Sequence, residues 1–477
     1  MKIRRQAITG NALTGTALTG TAATGRPRVV IVRPTDVDTD SRAKKLALSL
    51  DRLGYDTTVL GRSGNGKRRE GSLGGAHVTL LVPQSRLRGA PRRLVRSPIR
   101  RGRRFEPLVN RRLQRIERTL DTWLRKVDRE GAYLWHAAQR DFRTTYGSEL
   151  VRLAPDIIHV HDPRLLPVAF RAAARIQKRH ARECAVIYDS RENFAGVPDE
   201  NITLRRYHHT LLRIESRLAP RLAAVLTVSQ GTADALSGRL RLTRPPVVVL
   251  NAPVEGGTPT LDGTRSLRAD TGTEPGTPLM VYPGAATKPR GVDTMIEALA
   301  LLPGVHAALV VVPFPHPRAE ELTDLARSLG VADRLHLLPP VAADAVPGYL
   351  GGADVAVSPI LAGPANHEAA LPNKLFEMLH SGLPIVTSDI RAMSEFVVEH
   401  QLGVVFRSGD AADLARAVTK VLADPERWTS RQERATLMHE WSWQAQELPL
   451  GEAYRSVRPT TATPDNGPFP PVKVDWS

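Results

Sequence analysis

Cysteine is almost absent from this 477-residue chain. Cys184 stands alone inside the apolar run Glu183-Cys184-Ala185-Val186-Ile187-Tyr188, so no internal disulfide and no cysteine zinc site can form. The residue reads as a small buried hydrophobe rather than a nucleophile. Such sparing use of cysteine suits a reducing, cytoplasmic compartment. Long hydrophobic runs are missing too. The longest, such as Ala307 to Val312, fall far short of the roughly 20 residues that a membrane-spanning helix needs. The basic start, Met1 to Arg5, is followed by Thr, Gly and Ala without an apolar core, which is not the pattern of a signal peptide. What is present is an ordinary apolar fraction, 42%. The length corresponds to about three domains, or to two large ones with ragged ends. A disordered polycation and a single small domain are both excluded.

Acidic residues are scarce in one place only. The chain holds 66 Lys plus Arg against 49 Asp plus Glu, a formal charge of +17. Residues 85–126 contribute fifteen basic and three acidic groups, or +12; subtraction leaves 51 against 46, or +5, for the other 435 residues. The protein is therefore nearly balanced and carries one basic insert, at residues 85–130. Within it, Phe105, Val109, Leu113, Ile116, Leu120 and Trp123 fall on one helical stripe, with Arg111, Arg115, Arg118 and Arg125 off it. A basic amphipathic helix of this kind suits an anionic membrane surface. It equally suits a surface helix docked on its own domain. Nucleic acid is a poor fit, because no aromatic residues interleave the arginines as a base-stacking platform requires.

The rest of the chain divides by composition. Residues 1–25 repeat Thr-Gly and read as a flexible extension; residues 459–477, rich in Pro, Thr and Asp, read as a disordered tail. Between them, short β-branched runs alternate with helical patterns. The runs are Val29–Val32, Thr57–Leu60, His77–Val82, Ile157–Val160, Ala185–Tyr188, Ala223–Val228 and Val247–Leu250, then Leu279–Tyr282, Ala307–Val312, Leu335–Leu337, Ala353–Val357, Ile385–Thr387 and Val404–Phe406. Near-continuous apolar strands separated by helices predict parallel sheets covered on both faces. A Gly, Pro and Thr-rich stretch at 256–277 predicts a linker between two doubly wound α/β domains, 26–255 and 278–440. Ligands of such sheets bind beyond the carboxyl ends of the strands.

One such loop holds the densest chemistry: Glu368, then Leu371-Pro372-Asn373-Lys374-Leu375-Phe376-Glu377, then Gly382-Leu383-Pro384. Pro372 suits the first turn of a helix and Gly382 its end. Free N–H groups at that start favour an anion, and Lys374 adds a formal charge. Glu377, nearly one turn further along the same side, is placed to accept hydrogen bonds from sugar hydroxyls. The plain alternative is a capped helix with solvated Lys and Glu.

This string resembles the donor-site motif of the retaining "group 1" glycosyltransferases with the GT-B fold, two Rossmann-like domains facing across a cleft. The resemblance extends from about Arg28 to Val457. Val281-Tyr282-Pro283-Gly284 with Arg290-Gly291 looks like the opening of the donor domain, and Thr227-Val228-Ser229 with Leu250-Asn251-Ala252-Pro253 like the end of the acceptor domain. Trp441-Ser442-Trp443 with Tyr454 is similar to the family's crossover helix, here 441–458. The resemblance implies sugar transfer from a UDP- or GDP-linked donor, with retained configuration, no cofactor and no required metal. It implies Arg290, Lys374 and Lys288 on the diphosphate, Glu377 on the ribose and Glu368 on the donor sugar. His161, in His159-Val160-His161-Asp162-Pro163, would face that sugar as a catalytic residue beside Glu368. Asp40 and Glu192 are the acceptor-side candidates, although Asp40 could simply cap a helix. The basic insert, by holding the first domain on the inner face of an anionic membrane, would bring it near a lipid-linked or surface-polysaccharide acceptor, while the divergent loop 35–42 leaves the acceptor's identity open.

The sequence departs from the family pattern at four points. Ala369 stands where the first of two glutamates eight apart is usual, Ala285 where an arginine is frequent, and Arg191 where a histidine is frequent. The loop 35–42 lacks a glycine pair. A nucleotide-sugar epimerase using the same cleft, and a catalytically silent polyanion-binding scaffold, are the competing readings.

Overall fold

The computed structural model describes residues 25–38, 40–83, 130–196, 202–256, 265–363, 368, 371–428, 431–460, 465 and 467–476. The Thr-Gly extension to residue 24 and the basic insert to residue 129 lie outside the described residues, as does Ala369.

Strand β1 (Arg28–Val32) shows why the apolar runs become central parallel strands. Val29 and Ile31 point into one core, and Val30 and Val32 into another, so both faces of the strand are buried. Seven more strands join it: β2 (Asp56–Arg62), β3 (Arg69–Leu73), β4 (Ala76–Leu81), β5 (Ile157–Val160), β6 (Ala185–Ser190), β7 (Ala224–Thr227) and β8 (Val247–Val248). Their order is β3-β4-β2-β1-β5-β6-β7-β8, parallel throughout except for β3 against β4. Helices α1 (Ser41–Arg52), α2 (Glu130–Leu153), α3 (Leu166–His180), α4 (Ile202–Leu218) and α5 (Gln230–Arg239) cover this sheet.

The second sheet has the order β11-β10-β9-β12-β13-β14, every pair parallel: β9 (Leu279–Gly284), β10 (His306–Val311), β11 (Leu335–Leu338), β12 (Val355–Ser358), β13 (Ile385–Ser388) and β14 (Gly403–Phe406). Its helices are α6 (Leu267–Thr271), α7 (Val292–Ala300), α8 (Ala319–Ser328), α9 (Val346–Leu350), α10 (Asn373–His380), α11 (Arg391–Glu399), α12 (Ala411–Ala423) and α13 (Arg431–Glu440). In both sheets the chain winds outward from the first strand, then returns to its other side. The strand order therefore reverses between β1 and β5 in one domain and between β9 and β12 in the other. A crevice opens at the carboxyl edge where the flanking loops part in opposite directions.

Four expectations change in detail. Pro372 is the cap before α10 rather than its first residue, with extended backbone at ψ 147°. The linker is shorter than expected, because Ser266 caps α6 and Leu267 is fully buried. Strand β3 is additional: Arg-Glu-Gly-Ser-Leu is a polar edge strand with no apolar run to reveal it. The end of the chain, expected as a disordered tail, instead packs on that edge. Ser72 and Asp475 exchange both backbone hydrogen bonds at 2.8 Å, Val474 is buried, and the Trp476 indole donates to Asp38.

The last helix, α14 (Trp443–Val457), returns to the first domain. Trp443 is wholly buried there; its indole N–H donates to Ser49 Oγ at 2.9 Å, with the Lys45 ammonium 4.7 Å from the ring centre. We expect Trp443→Ala to destabilise the first domain by about 3–5 kcal/mol in urea unfolding, since it leaves a cavity and removes a buried hydrogen bond to Ser49. Leu448→Ala, on the same helix but 65% exposed, should stay within about 0.5 kcal/mol of the parent.

Candidate active site

In the second domain, the loop after β9 and the start of α10 meet at the reversal point. Gly284 ends β9 with φ 125°, a conformation costly to any side chain, and a Cβ there would approach Lys374 Nζ to 3.6 Å. Lys374 lies in the first turn of α10, is buried, and donates to the Tyr282 hydroxyl at 2.7 Å. The same ammonium lies 4.2 Å from the centre of the Tyr282 ring. Burial pushes its pKa well below the ordinary lysine range; Arg290 pushes it further down, and Glu377 partly offsets the loss. Arg290 closes a short 3-10 turn, Lys288–Arg290, and its side chain has no hydrogen-bond or ion-pair partner among the described residues. Gly291 follows at φ 67°, where a Cβ would collide with the Pro359 carbonyl after β12. A buried ammonium and a half-buried guanidinium are thus held within electrostatic reach of each other, and among the described residues no carboxylate is hydrogen-bonded to either. Such a place favours an anion.

Lys288, two residues before Arg290, has a different environment. Its ammonium is 3.3 Å from Asp293 and 2.5 Å from Glu321, and 66% of the side chain is exposed. Glu377 is half-buried on the side of α10 that carries Lys374. Its pKa is raised by burial, against the pull of Lys45 and Lys374. Glu368 accepts from the backbone N–H of Arg391 at 3.2 Å, at the start of α11.

In the first domain, His161 follows β5 at that sheet's reversal point. It is buried, 3.4 Å from Asp189 through Nδ1, and neither ring nitrogen has a hydrogen bond among the described residues. Burial lowers its pKa well below the ordinary histidine value, so the ring is neutral at neutral pH. His159 lies beneath it with ring centres 4.7 Å apart, its Nδ1 2.6 Å from the Tyr454 hydroxyl of α14. Asp189, at the end of β6, binds Arg42 of α1 through both oxygens, at 2.7 and 2.9 Å, and all four groups are fully buried. Arg42 also donates to Val249 O at 2.7 Å. His159, His161 and Asp189 offer ligand atoms within 4.8 Å of one another, the spacing of a metal site. The guanidinium already compensates the one carboxylate, which leaves little attraction for a second cation.

The acceptor-side candidates have structural partners. Asp40 caps α1 by accepting from Ala43 N, and forms ion pairs with Arg33 and Arg191. Glu192 is exposed, and its carbonyl accepts from Ser190 Oγ at 3.1 Å. Arg42, Lys45 and Asp189 were not singled out from the sequence. The available signal was their spacing: Arg42, Lys45 and Ser49 interleave with the apolar face of α1, which places the two cations inside.

Lys45 donates to Ala252 O at 2.5 Å. Burial, with a further push from Arg42, lowers its pKa from 10.5 to about 7, while Glu377 of the other domain pulls it up. A lysine protonated in the unfolded chain but neutral in the fold costs stability as pH falls from about 10.5 toward 7. Below that the cost is constant. Unfolding midpoints measured at pH 7.5 and pH 10 should therefore rise more steeply with pH in the parent than in Lys45→Met; parallel slopes would contradict this burial.

Residues 277–424 match the family model described as Glycosyl transferases group 1. A D-inositol 3-phosphate glycosyltransferase of Nocardia farcinica is 26% identical over 168 residues, 34% of this chain and 36% of that protein. Across five curated relatives, four of them D-inositol 3-phosphate glycosyltransferases and one the lipopolysaccharide core biosynthesis glycosyltransferase LpsE of Rhizobium meliloti, the chain spans 36–50% of their length. Among solved structures, sucrose-phosphate synthase from Thermosynechococcus elongatus superposes with a TM-score of 0.67 at 15% identity, covering 91% of this chain and 99% of that one. Anabaena HepE in complex with UDP-glucose gives 0.62 at 15% identity, covering 90% and 100%. With the paired parallel sheets and the returning helix, these matches show that the chain has the GT-B fold and that its second domain, residues 277–424, is similar to the group 1 glycosyltransferases.

Proposed function

We propose that the protein transfers a sugar from a nucleoside-diphosphate donor to a carbohydrate or lipid-linked acceptor, with retained configuration and without a required metal. The observation that carries this reading is the pair Arg290, half-buried, and Lys374, buried, which feel each other where the second sheet reverses, with no carboxylate among the described residues hydrogen-bonded to either. As the glycosidic bond breaks, negative charge grows on the leaving diphosphate. Fixed guanidinium and ammonium groups, with the N–H groups at the start of α10, stabilise that charge without reorganising. The UDP-glucose bound to the HepE relative is a ligand of this class.

The other residues take roles that suit their chemistry. Glu377, on the same side of α10 as Lys374, accepts the ribose hydroxyls. Neutral His161 keeps its Nδ1 proton toward Asp189, so Nε2 is the acceptor for a hydroxyl of the donor sugar. Glu368, held against the start of α11, bounds the sugar on the opposite side. Lys288, already shared by two acids, contributes least to the diphosphate.

Thermal-shift titration with UDP, GDP and their sugars tests the reading. A nucleoside diphosphate should raise the melting temperature, and Lys374→Ala or Arg290→Ala should weaken its binding roughly tenfold or more, as expected for a lost charge-assisted contact. Lys288→Ala should change it far less. Stabilisation by no nucleotide, or equal binding by Lys374→Ala and the parent, overturns the proposal. Product analysis with donor alone separates transfer from epimerisation, which would yield an altered nucleotide sugar.

A further inference from the structure

Away from this site, α2, α3 and α4 enclose an open cavity of about 640 Å³ on the first domain. Five arginines line it: Arg140 and Arg143 from α2, Arg171 from α3, and Arg217 and Arg221 from the end of α4 and the turn after it. No carboxylate lines the cavity, and none of the five forms an ion pair or a side-chain hydrogen bond among the described residues. Arg221 stacks over the Phe170 ring, 4.6 Å from its centre. The acids nearest in sequence are already engaged: Asp141 pairs with Arg62 at 2.8 Å, and Glu215 with Tyr188 and Arg239.

Like charges converging from three helices repel, and the pairs at positions i, i+3 and i, i+4 add to that cost. The five side chains are exposed, so solvent screens part of that repulsion, but among the described residues no carboxylate offsets it. Guanidinium forks match the geometry of phosphate oxygens, and five of them suit a multiply charged anion. Apart from Gln139 the remaining wall is apolar, with Phe170, Ile214 and Leu218 among its residues, and is suited to an organic body beside the charge. The cavity also touches the active-site loop: Gln139, on its rim, donates to Arg164 O at 2.7 Å, three residues after His161.

We propose that this cavity binds a phosphate group borne on an apolar body, that is, a phosphorylated amphiphile. The site goes beyond the donor reading and shares no residue with it, so each can fail alone. Its ligand could be a membrane lipid headgroup or a free phosphorylated compound, and the same chemistry recognises both.

The test uses the full chain and the double variants Arg143→Ser/Arg217→Ser and Arg171→Ser/Arg221→Ser. Two probes are compared: inorganic pyrophosphate by calorimetry with saturating UDP present to occupy the donor site, and co-sedimentation with phosphatidylcholine vesicles with and without phosphatidic acid. The basic insert remains intact in both variants, so charge in residues 85–126 cannot account for a difference between them and the parent. We expect saturable binding to at least one probe, weakened roughly tenfold or more for each arginine removed. Melting temperatures should not fall, since relieving the repulsion can only raise them, and nucleotide binding should be unchanged. Loss on vesicles alone assigns a lipid headgroup; loss on both probes shows that phosphate alone suffices. No binding by the parent, or undiminished binding by both variants, overturns the proposal.

Discussion

The buried pair of Arg42 and Asp189 is the interaction on which the first domain's half of the site depends. Each charge pays a desolvation cost of several kcal/mol, recovered only by good geometry and by satisfying the remaining polar atoms. Both conditions hold: the contact is bidentate, and a further guanidinium N–H reaches Val249 O. One side chain thereby ties α1 to the end of β6 and to the strand leading out of the domain. Because Asp189 also faces His159 and His161, the position of the catalytic candidate follows from that pair. Tyr454 extends the same network into α14, so the returning helix is part of the site's foundation as well as a lid on the core.

The second domain works by the opposite arrangement. Here no carboxylate among the described residues is hydrogen-bonded to the cation: Lys374 has lost much of its affinity for a proton through burial and the neighbouring Arg290, which Glu377 only partly offsets. A bound anion would reverse that shift, and linkage requires that binding then be accompanied by proton uptake. Glu377 couples this edge to the first domain, since it feels both Lys374 and Lys45. Lys45 is itself poised near 7 between burial and that carboxylate. Charge placed in the cleft is therefore felt on both sides of it.

The strands were legible because both of their faces are buried, which turns period-two alternation into short apolar runs bounded by turns. Strand β3 was not, since its buried residues are few and its pairing is made by a distant segment, Asp475 with Ser72. The Pro-Asn-Lys string was legible because a helix start carrying a cation is a local pattern. Arg42 with Asp189 was not, because the partners are 147 residues apart and a charge on an apolar stripe reads as an interruption rather than as half of a pair. The role of Lys45 was hidden for the same reason. His161 stood out by its place after a strand, but its neutrality depends on burial, which only the packed structure supplies.

Net charge is the property that sequence conveys most easily and that says least about function. Outside the basic insert the chain is nearly balanced, at +5 over 435 residues, yet the structure separates cations that are spent from cations that are available. Lys288 and Arg290 lie two residues apart in one short turn. The first is neutralised by Asp293 and Glu321, whereas the second has no partner among the described residues and faces another cation. The five arginines of the α2–α4 cavity repeat that contrast at larger scale. In a chain this rich in ion pairs, it is the unpaired cation held beside another cation that marks a place for an anionic ligand. Free energy of repulsion retained in the unliganded fold becomes free energy of binding once the anion arrives.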